Sequence, residues 1–401
     1  MVSVVAFPNA VVSVVKPPTL LVLLPASQSQ WCEQFSQEGY NVLHIDYPVP
    51  AGTSFRDALK DAETHIIQLG APWGLVTYGL DNKDAETIVS RMGLSIADLK
   101  ANVHFCPSAE STRGFLLKDS HGRYVPVTFH LAASQESLHA LILPHEDPSS
   151  FDYELPTHSH PPVKAYTYPL MAASPPFPFG LSAPTATAKD TVTPTNSYLR
   201  SACSLSHSRT LELLRRYLGP HFNFEKLWEA HTYFEFSERN AQKTMATMVG
   251  NPYVNHIPTM TGGVGYDDLA RFYKYHFTKV TPADAEMIPI SRTVGSDRII
   301  DEMVFKFHHT EEIDYFLPGI PPTGKYVEIA LVGVIAFRGD KLFFEHIYWD
   351  QASLLVQVGL LDPTKLPVAG VEVARKAIDP FGMPSNTLLG RWHESEGQPI
   401  E

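Results

Sequence analysis

Residues 343–361 read FFEHIYWDQASLLVQVGLL, a run in which a histidine, a glutamate and an aspartate stand among apolar and aromatic neighbours. Up to Trp349 the residue types favour a strand, and from Gln351 the leucines and valines recur at helical spacing, so Asp350 sits where one element becomes the other. A strand's period of two splits 341–350 into faces. One carries Leu342, Phe344, His346, Tyr348 and Asp350; the other carries Phe343, Glu345, Ile347 and Trp349. Buried ionisable groups are costly unless paired, so the first row implies a satisfied internal network or a cavity that uses it.

The residues leading up to this stretch read as α+β. FNFEKLWEAHTYFEFSERNAQKTMATM (222–248) and YDDLARFYKYHF (266–277) have helical spacing, with the short extended PYVNHIPT (252–259) between them. Three more strand-like runs precede KLFFEHIYWD in close succession, at 287–295, 298–314 and 325–340. Helices followed by consecutive strands predict an antiparallel sheet with helices packed on it. On the 298–314 run, Met303, Phe305, Phe307 and His309 share one face, which ends an apolar row on an imidazole. Asn255 and His256 are further polar candidates for a pocket. GGVG (262–265) is too short and misplaced for a phosphate loop and predicts a turn before a helix.

The first half has a different grammar. TLLVLLPA (19–26), YNVLHIDYP (40–48), WGLVTYG (73–79), ANVHFCP (101–107), VPVTFHLA (125–132) and VKAYTYP (163–169) are continuous apolar runs, as parallel strands buried on both faces require. Helix-like segments alternate with them, which predicts a doubly wound α/β layer. A Pro/Ser/Ala/Thr-rich stretch (173–195) interrupts the pattern before a closing amphipathic helix at 196–219. The expected domains are 1–220 and 221–370, with a tail at 371–401.

The chain has 401 residues, 44% of them hydrophobic, enough for two cores. Acidic residues outnumber basic ones by 43 to 31 with no basic cluster, which argues against nucleic acid as a partner. Pro8, Pro17 and Pro18 interrupt the apolar N-terminus, and no basic residue precedes Lys16, so neither a signal peptide nor a membrane helix is expected. Cys32, Cys106 and Cys203 lie far apart, which suits a reducing cytoplasm and argues against structural zinc. His145, His158 and His160 fall in a proline-rich loop without helical spacing; no metal and no cofactor are expected.

Two resemblances follow from these motifs. Residues 15–219 resemble the dienelactone hydrolase branch of the α/β-hydrolases. In such a fold a nucleophile stands on a strained turn between strand and helix. Here that turn reads Tyr78-Gly79-Leu80-Asp81-Asn82-Lys83, with Asp81 at the nucleophile position. The places where the family keeps its acid and histidine read Ser134-Gln135-Glu136 and Ala172-Ala173-Ser174, so the triad is lost; Asp81 reads as a helix cap and Cys106 as a packed thiol. Residues 222–362 resemble the SnoaL-like polyketide cyclases, through HT…GIPPTG (309–324), the strand ending E-H-x-x-x-D (345–350) and the closing LL-x-Q-x-G helix. This second resemblance implies the cone-shaped α+β fold of nuclear transport factor two, scytalone dehydratase and ketosteroid isomerase, with one deep apolar pocket. It places a catalytic acid–base aspartate at Asp350.

The expectation is therefore an α/β hydrolase-like domain without a triad, followed by an α+β cone domain that carries cofactor-independent acid–base chemistry. The substrate would be a small apolar, carbonyl-bearing intermediate of polyketide or terpenoid type that is cyclised, isomerised or dehydrated. Asp350, His346 and His309 would be catalytic, and Tyr348, Phe305, Phe307, Phe344, Asn255 and His256 would line the pocket. The outer sheet face, with Glu345 and Trp349, would pair subunits in a homodimer. An esterase or lactonase activity of the first domain, or a non-catalytic binding or dimerisation role for both, are the alternatives.

Overall fold

The computed structural model describes residues 4–92, 98–108, 114–119, 121–142, 163–168, 171 and 197–400. The chain divides into two compact units, Met1–Phe222 and Asn223–Glu401.

The first unit runs β1 (Val5–Phe7), β2 (Thr19–Leu24), α1 (Gln30–Gln37), β3 (Asn41–Asp46), α2 (Phe55–Leu69), β4 (Trp73–Tyr78), α3 (Asn82–Met92), β5 (Leu99–Phe105), β6 (Val127–Ala132), α4 (Glu136–Ile142), β7 (Val163–Tyr168) and α5 (Ser197–Tyr217). Its sheet has the order β1-β3-β2-β4-β5-β6-β7, parallel throughout except for the antiparallel edge strand β1. Successive residues of β2 enter two different cores. Leu21 and Leu23 pack with Leu59 and Leu75 on one side, and Leu20 and Val22 with Trp31 and Leu214 on the other. That is why these strands read as unbroken apolar runs rather than alternating ones.

The turn after β4 differs from the expectation at one position. Asp81 caps α3, its Oδ1 accepting the Asp84 backbone N–H at 2.8 Å. The left-handed residue that follows the strand is Gly79, at φ 67°, where the absence of a Cβ makes this conformation cheap and leaves no side chain to act as a nucleophile. Cys106 is buried at the end of β5, and burial pushes its thiol far above the ordinary range. His145, His158, His160 and the segment 172–174 lie outside the described residues.

The second unit contains α6 (Phe224–Thr232), α7 (Ala241–Ala246), β8 (Met248–His256), β9 (Thr261–Val264), α8 (Tyr266–Phe272), β10 (Glu286–Val294), β11 (Arg298–His308), β12 (Tyr326–Arg338), β13 (Lys341–Trp349), α9 (Gln351–Gln357) and α10 (Glu372–Ile378). Its sheet order is β10-β11-β12-β13-β8-β9. The run β10 to β13 is antiparallel as expected, whereas β8 joins parallel to β13 and β9 folds back on β8. GGVG thus contributes to an edge strand instead of a simple turn. Gly263 is required there, because a Cβ would stand 2.6 Å from the Leu269 backbone of α8. The tail expected from 371 begins with α10, whose Ala374 is fully buried and whose Arg375 pairs with Glu328 at 3.0 Å, so this helix is part of the second unit.

Two helices of this unit widen at their C-terminal ends. Both α6 and α8 pass directly into single π-helical turns, Tyr233–Ser237 and Tyr273–Phe277. Such turns are rare and recur at functional sites.

Candidate active site

The inward face of β13 is the one carrying Phe343, Glu345, Ile347 and Trp349, all buried, while Tyr348 on the other face is 42% exposed. Register explains this choice. Glu345 lies between Ile335 of β12 and Val254 of β8, both buried, and its row holds the larger continuous apolar surface. Beneath it lies a pocket of the second unit, partly open to solvent, with about 530 Å³ of empty space counted out to its mouth. Aromatic rings of Phe236, Phe277, Tyr315 and Phe316 form much of the wall, and Glu235, Glu345 and Tyr273 bring ionisable atoms to it.

These three groups converge on His231. His231, near the end of α6, and Glu235, in the π-helical turn that follows it, are four residues apart and so neighbour one another on one face. His231 Nε2 lies 3.0 Å from Glu235 Oε1 and 3.0 Å from Glu345 Oε1. The Tyr273 hydroxyl donates to Glu345 Oε1 at 3.2 Å and stands 3.3 Å from His231 Nε2. On the far side of the imidazole, Nδ1 is 2.6 Å from the Thr247 hydroxyl, which itself donates to the Thr244 carbonyl at 2.7 Å. Thr247 has therefore spent its proton and accepts from Nδ1–H. With Nδ1 protonated, a second proton on Nε2, between Glu235 and Glu345, makes His231 an imidazolium.

The electrostatics agree. Burial works against the charge on His231, but the carboxylates of Glu235 and Glu345 outweigh it and raise its pKa to about 10. Burial raises the Glu235 carboxyl; His231 opposes that, Glu345 reinforces it, and the net direction is upward. Burial and the same two carboxylates push the Tyr273 phenol well above its ordinary value. The cluster thus concentrates protons in an apolar wall.

A second layer holds the imidazole in place. Trp228 stacks on His231 with ring centroids 5.6 Å apart and an interplanar angle of 18°. Its indole N–H donates to Asp301 at 2.8 Å, and Arg292 grips the same carboxylate through two bonds of 2.9 and 2.8 Å. A forked guanidinium on a carboxylate fixes orientation as well as charge.

The residues expected from sequence separate into two groups. Phe305 and His256 line the cavity; His256 stacks on Phe277 at 5.9 Å and burial lowers its pKa to about 4, so it is neutral. The others are not among the lining residues. Asp350 caps α9, accepting from the Ala352 and Ser353 amides at 3.0 and 3.2 Å. Phe344, His346 and Tyr348 follow the opposite face of β13, where Phe344 stacks on Tyr253 at 4.8 Å. Asn255 pairs in register with His346, so it too points away, between the inward Val254 and His256. Phe307 is buried against Phe316, and His309 is fully buried with Nδ1 at 3.1 Å from the Thr323 hydroxyl. The expected face of β13 is inverted, and Glu345 is the carboxylate that enters the cavity. Alanine at Asp350 is accordingly expected to cost about 0.5–2 kcal/mol of unfolding free energy in urea denaturation, as a lost helix cap does, and to leave ligand binding in the cavity unchanged by calorimetry.

No described helix is long and apolar enough to cross a membrane. Among the described residues, His231, Glu235 and Glu345 also form the one group whose atoms are close enough to hold a metal ion.

No family model and no curated protein matches the chain. Solved structures with SnoaL-like and related folds match about a third of it. TsrD from Streptomyces laurentii is 14% identical with a TM-score of 0.30, over 35% of this chain and 100% of its own. A protein described as a SnoaL-like polyketide cyclase, from Jannaschia sp. CCS1, is 14% identical with a TM-score of 0.28, over 36% and 100%. A protein of ketosteroid isomerase-like fold from Catenulispora acidiphila is 12% identical with a TM-score of 0.28, over 34% and 94%.

Proposed function

We propose that the second unit is a cofactor-independent acid–base enzyme, an isomerase, dehydratase or cyclase acting on an apolar, carbonyl-bearing small molecule. The observation that carries this is the opening of the Glu235–His231–Glu345–Tyr273 cluster into an apolar cavity. Two carboxyl groups bridged by one imidazolium can hold a proton on one and take a proton on the other. Glu235, raised by burial, donates to the substrate oxygen, and Glu345 removes the proton from carbon. The product is a neutral enol, which avoids an enolate beside two carboxylates. His231, 3.0 Å from both, and Tyr273 return the proton from Glu345 to Glu235 and close the cycle. The aromatic walls orient the substrate and keep water out.

Exchange of α-protons on a panel of apolar cyclic ketones in deuterium oxide, followed by proton NMR, tests this directly. Exchange above the buffer rate that is lost in Glu235→Gln supports it. A panel with no exchange above buffer rejects it.

The esterase or lactonase alternative would need a nucleophile in the first unit. Gly79 stands at the turn after β4, so a covalent serine- or cysteine-hydrolase probe is expected to leave the protein unlabelled in mass spectrometry.

A further inference from the structure

His256 is a polar group of the cavity wall that the proposed proton transfer does not use, and its surroundings fix which of its nitrogens carries a proton. It faces Thr261 across the β8–β9 ladder, with Nδ1 3.3 Å from the Thr261 hydroxyl. That hydroxyl is 3.1 Å from the hydroxyl of Thr259, which donates to the Tyr315 carbonyl at 2.8 Å. Thr259 has thus spent its proton. Thr261 spends its own on Thr259, or on the same carbonyl at 3.4 Å, and in either case accepts from Nδ1–H of His256. Burial lowers the pKa of this imidazole to about 4, so at neutral pH the ring holds one proton, and that proton is on Nδ1.

Nε2 is then a bare acceptor, and among the described residues none bonds to it. The unpaired Nε2 atoms of His104 and His309 are sealed in the interior, whereas that of His256 keeps accessible surface, in a residue that is only 4% exposed and lines the cavity. The ring stacks on Phe277 and Tyr315 at 5.9 and 5.6 Å while Thr261 holds its other edge, so the direction of Nε2 is fixed. A ligand that fills the cavity must donate to this nitrogen or leave a buried acceptor unpaired. An ether or a second carbonyl would set lone pair against lone pair. We infer that His256 is a specificity-determining residue that accepts from a hydroxyl of the substrate, which is therefore a hydroxylated carbonyl compound such as a hydroxyketone or an acyl phenol. Glu345 pairs in register with Val254 and Ile347 with His256, so Glu345 and His256 occupy successive inward positions on adjacent strands, within the span of one small molecule. Because Nε2 has no proton to give, this hydroxyl anchors the substrate and is not expelled with the help of His256. The inference rests on the proposed reading of the cavity as the substrate site, and it names the second functional group its substrate must carry.

Three kinds of bicyclic ketone separate a donor from mere size: 1-tetralone, its isomers hydroxylated on the aromatic ring, and the matching methyl ethers. They are titrated calorimetrically into the full chain at about pH 6, where the phenols are neutral. The best-placed hydroxy isomer is expected to bind about tenfold more tightly than 1-tetralone, and its methyl ether no more tightly than 1-tetralone. His256→Phe keeps a stacking ring and removes the acceptor, and should erase the hydroxyl preference while 1-tetralone still binds. Thr261→Val leaves the imidazole in place but takes away the oxygen that holds the proton on Nδ1. The tautomer with Nε2–H then becomes accessible, and the ratio of hydroxyl to ether binding should fall, which a loss of packing alone would not produce. Circular dichroism checks that both variants fold. Equal binding of the hydroxy isomers and 1-tetralone overturns the inference, as does tighter binding of the ethers, a preference unchanged in both variants, or no binding of any of the compounds. Ketone exchange without hydroxyl preference removes the inference and spares the acid–base reading; hydroxyl preference without exchange does the reverse.

Discussion

Glutamine at Glu345 is expected to slow α-proton exchange by about 10²–10⁴-fold, the usual loss when a positioned general base is removed. The change is nearly isosteric, so the strand should stay in register and the cavity should keep its shape. Glutamine can still accept from the Tyr273 hydroxyl, which stands 3.2 Å from the carboxylate in the native chain, but it cannot hold a proton taken from carbon. The loss should therefore fall mainly on kcat, with KM changed little, since an apolar substrate is bound chiefly by the walls. A similar loss from Asp350→Asn would place the chemistry at the end of β13 instead, and would reject the cluster as the source of catalysis. Steady-state exchange rates of the two variants side by side decide between them.

Alanine at His231 should have the largest effect on stability. It leaves Glu235 and Glu345 facing each other in a buried wall without their shared cation, and breaking a buried ion pair from one side costs about 3–5 kcal/mol. The pH dependence has a definite sign. The folded pKa of His231, about 10, lies above its ordinary 6.5, so its contribution is complete below about pH 6.5 and fades as the pH rises through 10. Glu235, also raised, contributes in the same direction at lower pH. Urea midpoints followed by circular dichroism should fall between pH 7 and 10 in the native chain. In His231→Ala they should start lower and vary less over that interval. A variant with the native midpoint at pH 7 and the native slope would show that His231 is not the cation of this cluster.

The sequence made the layers legible because burial writes itself into periodicity. Unbroken runs such as TLLVLL could only be strands covered on both sides, and the alternation in 298–308 marked a strand with two unlike faces. It left the direction of those faces open. On β13 both rows contain an ionisable residue, and the conspicuous Asp350 draws the reading to one of them, although a position before a helix is equally that of a cap. The apolar weight of Phe343, Ile347 and Trp349 was the better guide, because the row with more greasy area goes inward and takes Glu345 with it. His231 and Glu235 carried a signal as well. With Trp228 they recur at three and four residues along one helical stripe, and two ionisable groups on an apolar stripe call for a partner. That partner comes from β13, more than a hundred positions along the chain, and no local pattern could have supplied it.

The two widened helical turns bear on how such a site can be gained or lost. A π-turn holds one residue more than the α-turn it replaces, and it rotates everything after it by roughly a third of a revolution. Glu235 and Tyr273 lie within these turns, at the ends of two separate helices. Glu235 keeps the four-residue spacing from His231, and Tyr273 opens its own turn, so the extra residue acts on the segment that follows each of them. Excising it would restore a regular helix and re-aim that following segment against the sheet. The sheet that carries Glu345 and the helix ends that carry Glu235 and Tyr273 are in this sense separately encoded.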